Sequence, residues 1–320
     1  MGYNHPSWGF MESMTTSSRF LCLVGLSLSF GFVTIQESAA LSTRHDVAAS
    51  EYVVTSSDYP AVIDLFEPGD CLGTLVDDRH LLTVAHCAKD TKNKDVLKIG
   101  STRHGVDAVF MHPDWNGWKN DIAMIRLTKA VDGVTPFAVY RDRDEEGQKL
   151  TLVGRGMYAT GLGGEKDAVE DGVLRRATNV VTSASKQWLE VYFDRPNSGR
   201  ATDLEGVGLS GDSGGPAFLW TEDGWVIAGL NSWGEGDGSA KLGEYGAWDY
   251  STRVSSHVDW IDCVLGPQDS GDTGQADEST GSASNVECPQ RKCGCSTTGG
   301  ANNLWASVPV MLLGLLRRRP

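Results

Sequence analysis

The sequence predicts an all-β fold with few helices. Between residues 53 and 264 the apolar residues come in short runs, and glycine-rich turns separate one run from the next. This part holds roughly 210 to 220 of the 320 residues, which is enough chain for one well-buried core. The clearest runs lie at residues 61–66, 80–85, 150–153, 226–230 and 247–254.

The chain before this part has the composition of an export signal. Arg19 precedes an apolar run at 20–35, and Ser38-Ala39-Ala40 supplies the small residues of a cleavage site. We predict a signal peptide over 1–40, cleaved near Ala39 or Ala40, with 41–51 as a propeptide or N-terminal segment. The stretch before this run is long and polar for a signal peptide. Met11 or Met14 is therefore an alternative start of the protein.

The segment after the central part is polar and acidic. Residues 266–287 are mostly Gly, Ser, Asp, Thr and Gln, with almost no large apolar residue. Such a segment buries too little surface to offset its ordering entropy. We therefore predict a flexible acidic linker over 266–292.

The last residues, 293–320, have three parts. Cys293-Gly294-Cys295 comes first, then an apolar segment at 304–316, then Arg317-Arg318-Arg319. This tail resembles the sorting signals of myxobacterial surface proteins of the type called MYXO-CTERM, which implies a sorting protease as partner and a place at the cell surface, in the outer membrane or outside the cell. An ordinary hydrophobic tail or a marginal membrane helix is the alternative, because about thirteen apolar residues are short for a stable span.

The most informative motif is a serine among glycines. Ser213 lies in the stretch Gly211-Asp212-Ser213-Gly214-Gly215-Pro216. Flanking glycines let the serine sit on a sharp exposed turn with backbone N–H groups pointing outward, as a nucleophile beside an oxyanion hole requires. A glycine-rich hairpin without such a role is the alternative.

Two further motifs lie upstream. His86 ends an apolar run and precedes Cys87, and Asp121 opens the apolar stretch 122–127. A serine hydroxyl is a poor nucleophile at neutral pH and needs a base, and a neutral imidazole needs a carboxylate that holds its tautomer. The chain order predicts His86 as the base, Asp121 as the orienting carboxylate and Ser213 as the nucleophile.

Residues 52–265 resemble the chymotrypsin-like serine proteases of the trypsin family. The three motifs follow that family's order, and Asn231-Ser232-Trp233-Gly234 and Thr252-Arg253-Val254 match it near the domain end. The resemblance implies two packed six-stranded antiparallel barrels with a cleft between them. It also implies a short C-terminal helix over 258–265.

For function, the resemblance implies a secreted or surface-attached serine endopeptidase that hydrolyses protein or peptide substrates through an acyl-enzyme. Such an enzyme needs no organic cofactor and no metal, and the sequence has no pair of histidines or cysteines at zinc-ligand spacing. A disulfide between Cys71 and Cys87 is implied too, which fits export to an oxidising compartment. The pairing of the other mature cysteines stays open: Cys263, Cys288, Cys293 and Cys295.

The charge of the chain limits its partners. The formal net charge is −14, which argues against nucleic acid and only weakly favours basic or neutral partners. We expect a monomer that does not bind nucleic acid.

The chain departs from the family pattern at the activation site. The family frees an Ile-Val-Gly-Gly terminus whose amine pairs with the aspartate before the nucleophile, here Asp212, and this chain has no such tetrapeptide. Residues 45–54 take its place, with Arg44 as the nearby basic cleavage point. Without its partner, Asp212 would leave the oxyanion hole of Gly211 and Ser213 poorly formed. A catalytically inactive protease-like binding module at the cell surface is therefore the alternative function.

The specificity pocket is a second departure. Counting back from the nucleophile, Val207 stands where trypsin has an aspartate, and Gly208 follows it. Counting back from the last motif, Asp249 stands at a glycine position of the opposite wall. If Asp249 points inward we expect cleavage after Arg or Lys, and if it points outward Val207 and Gly208 predict a medium apolar side chain. By the same resemblance, three residues pair with the substrate backbone as an added strand: Ser232, Trp233 and Gly234.

Overall fold

The computed structural model of the protein describes residues 40–93 and 95–266. The predicted linker and sorting tail lie outside these residues except for Gly266, as does the predicted signal peptide except for Ala40. Within these ranges the chain forms seventeen strands and two short α-helices, which confirms the all-β class. In chain order the strands are β1 (Leu41–Thr43), β2 (Val62–Asp64), β3 (Leu72–Leu75), β4 (His80–Thr83), β5 (Val96–Ile99), β6 (Thr102–Met111), β7 (Ala123–Leu127), β8 (Ala138–Val139), β9 (Lys149–Gly154), β10 (Met157–Thr160), β11 (Val169–Glu170), β12 (Arg175–Ala184), β13 (Trp188–Tyr192), β14 (Gly206–Val207), β15 (Pro216–Thr221), β16 (Gly224–Gly236) and β17 (Ala247–Arg253). The α-helices are α1 (Ala85–Ala88) and α2 (Val258–Leu265), and short 3₁₀ helices lie at Ala49–Glu51, Gly164–Asp167 and Val254–Ser256.

The first barrel is a six-stranded antiparallel sheet in the order β2-β3-β4-β7-β6-β5. Leu82 of β4 and Met124 of β7 are paired neighbours, and both are fully buried in its core. Burial of one such side chain contributes about 1.5–3 kcal/mol. Thr83 pairs with Ala123 at the end of the same two strands, so the chain leaving β4 and the chain entering β7 meet at one edge of this barrel.

The second barrel is a closed ring of six strands, β9-β12-β13-β17-β16-β15, because β15 pairs with both β9 and β16. The short strand β8 adds to it, parallel to β16. The two six-stranded barrels confirm the predicted architecture. The predicted helix is confirmed as α2, which buries Trp260 and Ile261 and ends at Leu265, before Gly266, whose φ of +74° is readily adopted only by glycine.

A separate four-stranded sheet holds the first described residues. Its order is β11-β10-β1-β14, with β1 parallel to β10 and antiparallel to β14. Leu41 is paired with Tyr158 and Ser42 with Val207, and both Ala40 and Leu41 are 0% exposed. No helix in the described ranges is long and apolar enough to cross a bilayer.

Candidate active site

His86 lies on α1, a single helical turn that follows β4 almost directly. Ala85, Cys87 and Ala88 of this turn are buried, whereas 23% of the His86 side chain is exposed. The implied disulfide between Cys71 and Cys87 is present, with Cα atoms 6.2 Å apart. It ties the histidine turn to the residue before β3.

Asp121 is fully buried and holds His86 at two points. Its Oδ1 accepts the backbone N–H of His86 at 2.9 Å, and its Oδ2 lies 2.7 Å from Nδ1 of the imidazole. A carboxylate only accepts, so the proton of a neutral imidazole lies on Nδ1 and Nε2 is left as the basic nitrogen. The structure therefore places Asp121 on the Nδ1 side of the His86 imidazole.

Two hydroxyl groups that the sequence reasoning missed also hold Asp121. Ser232 Oγ donates to Oδ2 at 2.6 Å, and Thr252 Oγ1 donates to the Asp121 carbonyl at 2.9 Å. The pairing register of β16 with β17 shifts between Asn231 and Trp233, which leaves Ser232 at an irregularity of the strand. The motif around Ser232 indicated a substrate-binding strand, and nothing in it indicated a bond to Asp121.

Ser213 is brought to the histidine turn by the glycine that follows it. Leu72 donates its N–H to the Ser213 carbonyl at 2.8 Å, and Gly214 donates to the Asn231 carbonyl at 2.8 Å. Gly214 has φ +77°, and a Cβ there would lie 2.1 Å from the Leu72 oxygen and 2.3 Å from Oγ1 of Thr83. The turn thus abuts the end of β4, three residues before His86. Among the described residues no hydrogen bond joins Ser213 Oγ to Nε2 of His86, and such bonds are often long without substrate.

The predicted oxyanion-hole residues lie on either side of Asp212. Gly211 has φ +93°, and a Cβ there would lie 2.1 Å from the Gly69 oxygen, so the turn requires glycine. Within the described ranges the N–H groups of Gly211 and Ser213 donate to no protein acceptor. Two uncommitted amides beside a serine hydroxyl are suitable donors for an oxyanion.

Asp212 is fully buried. One carboxylate oxygen accepts the N–H of Gly156 at 2.7 Å and the other accepts the N–H of Leu209 at 2.9 Å. Burial raises the pKa of Asp212 to about 7, and the nearby carboxylate of Asp249 adds to this rise, whereas the hydrogen bonds lower it. Among the residues that the structure describes, no Lys, Arg or His lies within ion-pair distance of Asp212.

Leu41 lies beside Asp212. A Cβ on Gly154 would lie 2.1 Å from Oδ1 of Asp212 and 2.9 Å from Cδ2 of Leu41. The sequence did not indicate this position, because β1 is buried by two paired strands, and a triplet of one apolar and two polar residues is not typical of a buried strand. Residues 45–54, which take the place of the activation tetrapeptide in the sequence, contain the 3₁₀ turn Ala49–Glu51.

Asp249 is buried beside Gly208, one of the predicted substrate-binding residues. It is 3% exposed, and its Oδ2 accepts the N–H of Gly208 at 2.8 Å. A Cβ on Gly234 would lie 3.7 Å from Oδ1, and Asn231 Nδ2 lies 3.5 Å from Oδ2, so the carboxylate lies close to Gly208, Gly234 and Asn231. Burial raises the pKa of Asp249 to about 6, although hydrogen bonds from the backbone lower it. Val207 is packed in the core of the second barrel.

Aromatic rings line the approach to the histidine. Trp118 is 49% exposed and lies edge-on to the His86 ring, with centroids 5.4 Å apart. It stacks on Trp233 at 6.2 Å, and Trp233 stacks on Tyr250 at 4.0 Å. Trp118 was not predicted, since its only signal in the sequence is its place three residues before Asp121.

Two packed six-stranded barrels that bring a histidine, a buried aspartate and a serine turn together define the class of chymotrypsin-like serine proteases. The model of the Trypsin family matches residues 47–261, and the chain belongs to that family.

Curated relatives agree with this class. The chain is 32% identical to a trypsin of Phaedon cochleariae over 214 residues, which are 60% of this chain and 77% of the relative. It is 30% identical to chymotrypsin-C of Bos taurus over 213 residues, 61% of this chain and 78% of the relative. It is 28% identical to vitamin K-dependent protein C of Rattus norvegicus over 226 residues, 62% of this chain and 47% of that protein, so the chain spans about half of the latter's length.

Proposed function

We propose that the protein is a serine endopeptidase that hydrolyses peptide bonds through an acyl-enzyme on Ser213. The observation that carries this proposal is the buried Asp121 carboxylate, which fixes His86 with Nε2 as its basic nitrogen beside the serine turn. A base held in this tautomer is what a serine nucleophile requires.

In the first half of the proposed reaction, Nε2 of His86 takes the proton of the Ser213 hydroxyl as Oγ bonds to the scissile carbonyl carbon. The carbonyl oxygen becomes an oxyanion, and the amides of Gly211 and Ser213 donate to it. The imidazolium, stabilised by Asp121, then gives its proton to the leaving amine as the C–N bond breaks. Water repeats these steps on the acyl-enzyme and frees the second product.

The alternative function, a protease-like binding module without activity, has one observation in its favour. The carboxylate of Asp212, between the two oxyanion amides, has no cation beside it among the described residues. Labelling of the secreted protein with a fluorophosphonate separates the two functions, because only an activated serine reacts. A labelled Ser213 supports the endopeptidase, and an unlabelled, folded protein supports the binding module.

We further propose that Asp249 selects Arg or Lys before the cleaved bond. A buried carboxylate is costly unless paired, and a guanidinium or ammonium entering beside Gly208 and Gly234 relieves that cost through a charge-assisted bond.

Replacing Asp249 by serine should erase the preference for basic residues while slow hydrolysis of apolar substrates continues. A charged bond of this kind is worth about 1.5–3 kcal/mol, which predicts a loss of roughly 10- to 150-fold in kcat/KM for Arg substrates. Profiling parent and variant with one peptide library measures the change. A parent that prefers Ala, Val or Leu at this position contradicts the assignment.

The same carboxylate predicts a pH dependence of specificity. Because burial raises the pKa of Asp249 to about 6, the group is charged above this pH and becomes neutral below it. The ratio of kcat/KM for an Arg substrate to that for a Leu substrate should therefore fall as the pH drops through 6. Taking the ratio cancels every pH effect that the two substrates share. A ratio that stays constant between pH 8 and pH 5 would argue that Asp249 does not contact the substrate.

We also propose export and attachment at the cell surface, with the tail read by a sorting protease. Support comes from the sequence patterns at 1–40 and 293–320 and from the Cys71–Cys87 disulfide, which forms in oxidising compartments. We expect the enzyme to act as a monomer on protein substrates, without nucleic acid as a partner.

A further inference from the structure

The bond between Ala40 and Leu41 lies at an unusual place in the fold. Both residues are 0% exposed, and Leu41 has φ +69°, a left-handed conformation that is rare for a bulky side chain. The torsion φ of Leu41 is defined by the carbonyl carbon of Ala40. Hydrolysis of this bond therefore removes the strained torsion.

The carboxylate of Asp212, next to the Leu41 side chain, has no counter-ion among the described residues. Asp212 is fully buried, its two oxygens accept only neutral backbone N–H groups, and within the described ranges no basic side chain reaches it. A second buried carboxylate, Asp249, is close enough to disfavour its charge. An ionised carboxylate in such surroundings requires a cation.

Leu41 is the residue that can supply this cation. Its side chain and Oδ1 of Asp212 lie on the same side of Gly154, 2.9 Å and 2.1 Å from the position that a Cβ there would take. The three residues before it in the chain, Ser38-Ala39-Ala40, are the small residues that export cleavage requires.

We propose that removal of the signal peptide at the Ala40–Leu41 bond is itself the activating cut of this protease. Water adds across the amide, Ala40 leaves with the new carboxylate, and Leu41 keeps the nitrogen, which takes up a proton and becomes the ammonium counter-ion of Asp212. Export and activation are then one event, and residues 41–51 belong to the mature enzyme. The inference rests on the proposed endopeptidase function, because what is activated is the oxyanion hole of Gly211 and Ser213.

The test uses the full chain with one glycine inserted between Ala40 and Leu41, so that processing after Ala40 leaves a terminus one residue too long. The matched control carries the glycine before Ser38, which leaves the mature terminus unchanged. Each secreted protein is sequenced at its terminus and treated with a fluorophosphonate. We expect parent and control to begin at Leu41 and to react, and the insertion variant to react at least about 100-fold more slowly, the effect of losing one oxyanion donor.

Two results would overturn the proposal: an active parent that begins at a residue other than Leu41, or an insertion variant that reacts at the parent rate. Equal labelling of every form would leave the endopeptidase function intact and refute only the activating cut. If no form reacts, the endopeptidase function fails, and the terminus is tested by a measurement that needs no activity.

That measurement is the reactivity of the Leu41 amine toward acetic anhydride, followed by mass spectrometry in the Ser213→Ala protein. A buried ammonium paired with Asp212 should be acetylated at least tenfold more slowly in the native protein than after unfolding, and the terminal amine of the insertion variant should lose this protection. An amine that reacts equally fast in the native and unfolded parent overturns the pairing.

Discussion

Ser213→Ala should abolish peptide hydrolysis and fluorophosphonate labelling while the thermal midpoint stays nearly unchanged. The change removes only a half-exposed hydroxyl, and the backbone bonds that hold the turn, from Leu72 to Ser213 and from Gly214 to Asn231, stay in place. Loss of a serine nucleophile from such a site costs about 10⁶-fold in kcat, and His86→Ala should cost a similar factor because the two act as one unit.

The matched control is Ser101→Ala, which removes an exposed hydroxyl from the turn between β5 and β6. It should react with the fluorophosphonate like the parent. Equal labelling of the Ser213 variant and the parent would refute the nucleophile assignment, and a His86 variant that keeps more than about a tenth of the activity would remove the histidine from the mechanism.

Asp121→Asn should reduce kcat by about 10⁴-fold, the size of loss that the corresponding change causes in serine proteases of this family. An asparagine of the same shape still receives the N–H of His86 on its oxygen, but its NH₂ group then faces Nδ1 of the imidazole. An N–H donor there favours the tautomer with its proton on Nε2, which no longer takes the proton of Ser213. The pH–rate profile and kcat of the variant measure this loss.

The chain offers a close control in Asp77 and His80. Oδ2 of Asp77 lies 2.7 Å from Nδ1 of His80, and Oδ1 accepts the His80 backbone N–H at 2.6 Å, which repeats the geometry at Asp121. This pair lies at the start of β4, whereas His86 follows its end. Asp77→Asn should change stability and leave kcat within about twofold. A comparable loss of kcat in both variants would mean that the effect of Asp121→Asn is structural.

The fold could be predicted where each strand carries its own hydrophobic signal. Residues 150–153 and 226–230 lie in β9 and β16, strands of the second barrel, and α2 has the predicted bounds. β1 could not be predicted in this way. Its three residues are all buried because two other strands cover them, and that covering is a property of the tertiary structure.

The candidate site also contains residues with a local sequence signal and residues whose role depends on tertiary contacts. His86, Asp121 and Ser213 lie in motifs whose local backbone requirements, an apolar strand end and a glycine-rich turn, can be read from neighbouring residues. The hydroxyl of Ser232 and the ring of Trp118 act on residues more than a hundred and about thirty positions away in the chain, respectively, so only the folded chain reveals them. The burial of Asp249 beside Gly208 depends on the folded chain for the same reason.

The Cys71–Cys87 disulfide has a consequence for where the enzyme can work. Cys71 precedes Leu72, whose N–H donates to the carbonyl of Ser213, and Cys87 follows His86. The disulfide therefore links the segment that supports the nucleophile covalently to the segment that carries the base. Closing a loop of 16 residues is worth about 3 kcal/mol. This bridge does not form in a reducing cytoplasm. Under the proposed function, a copy of the protein that stays in the cytoplasm would therefore lack one covalent link between the supports of its nucleophile and its base.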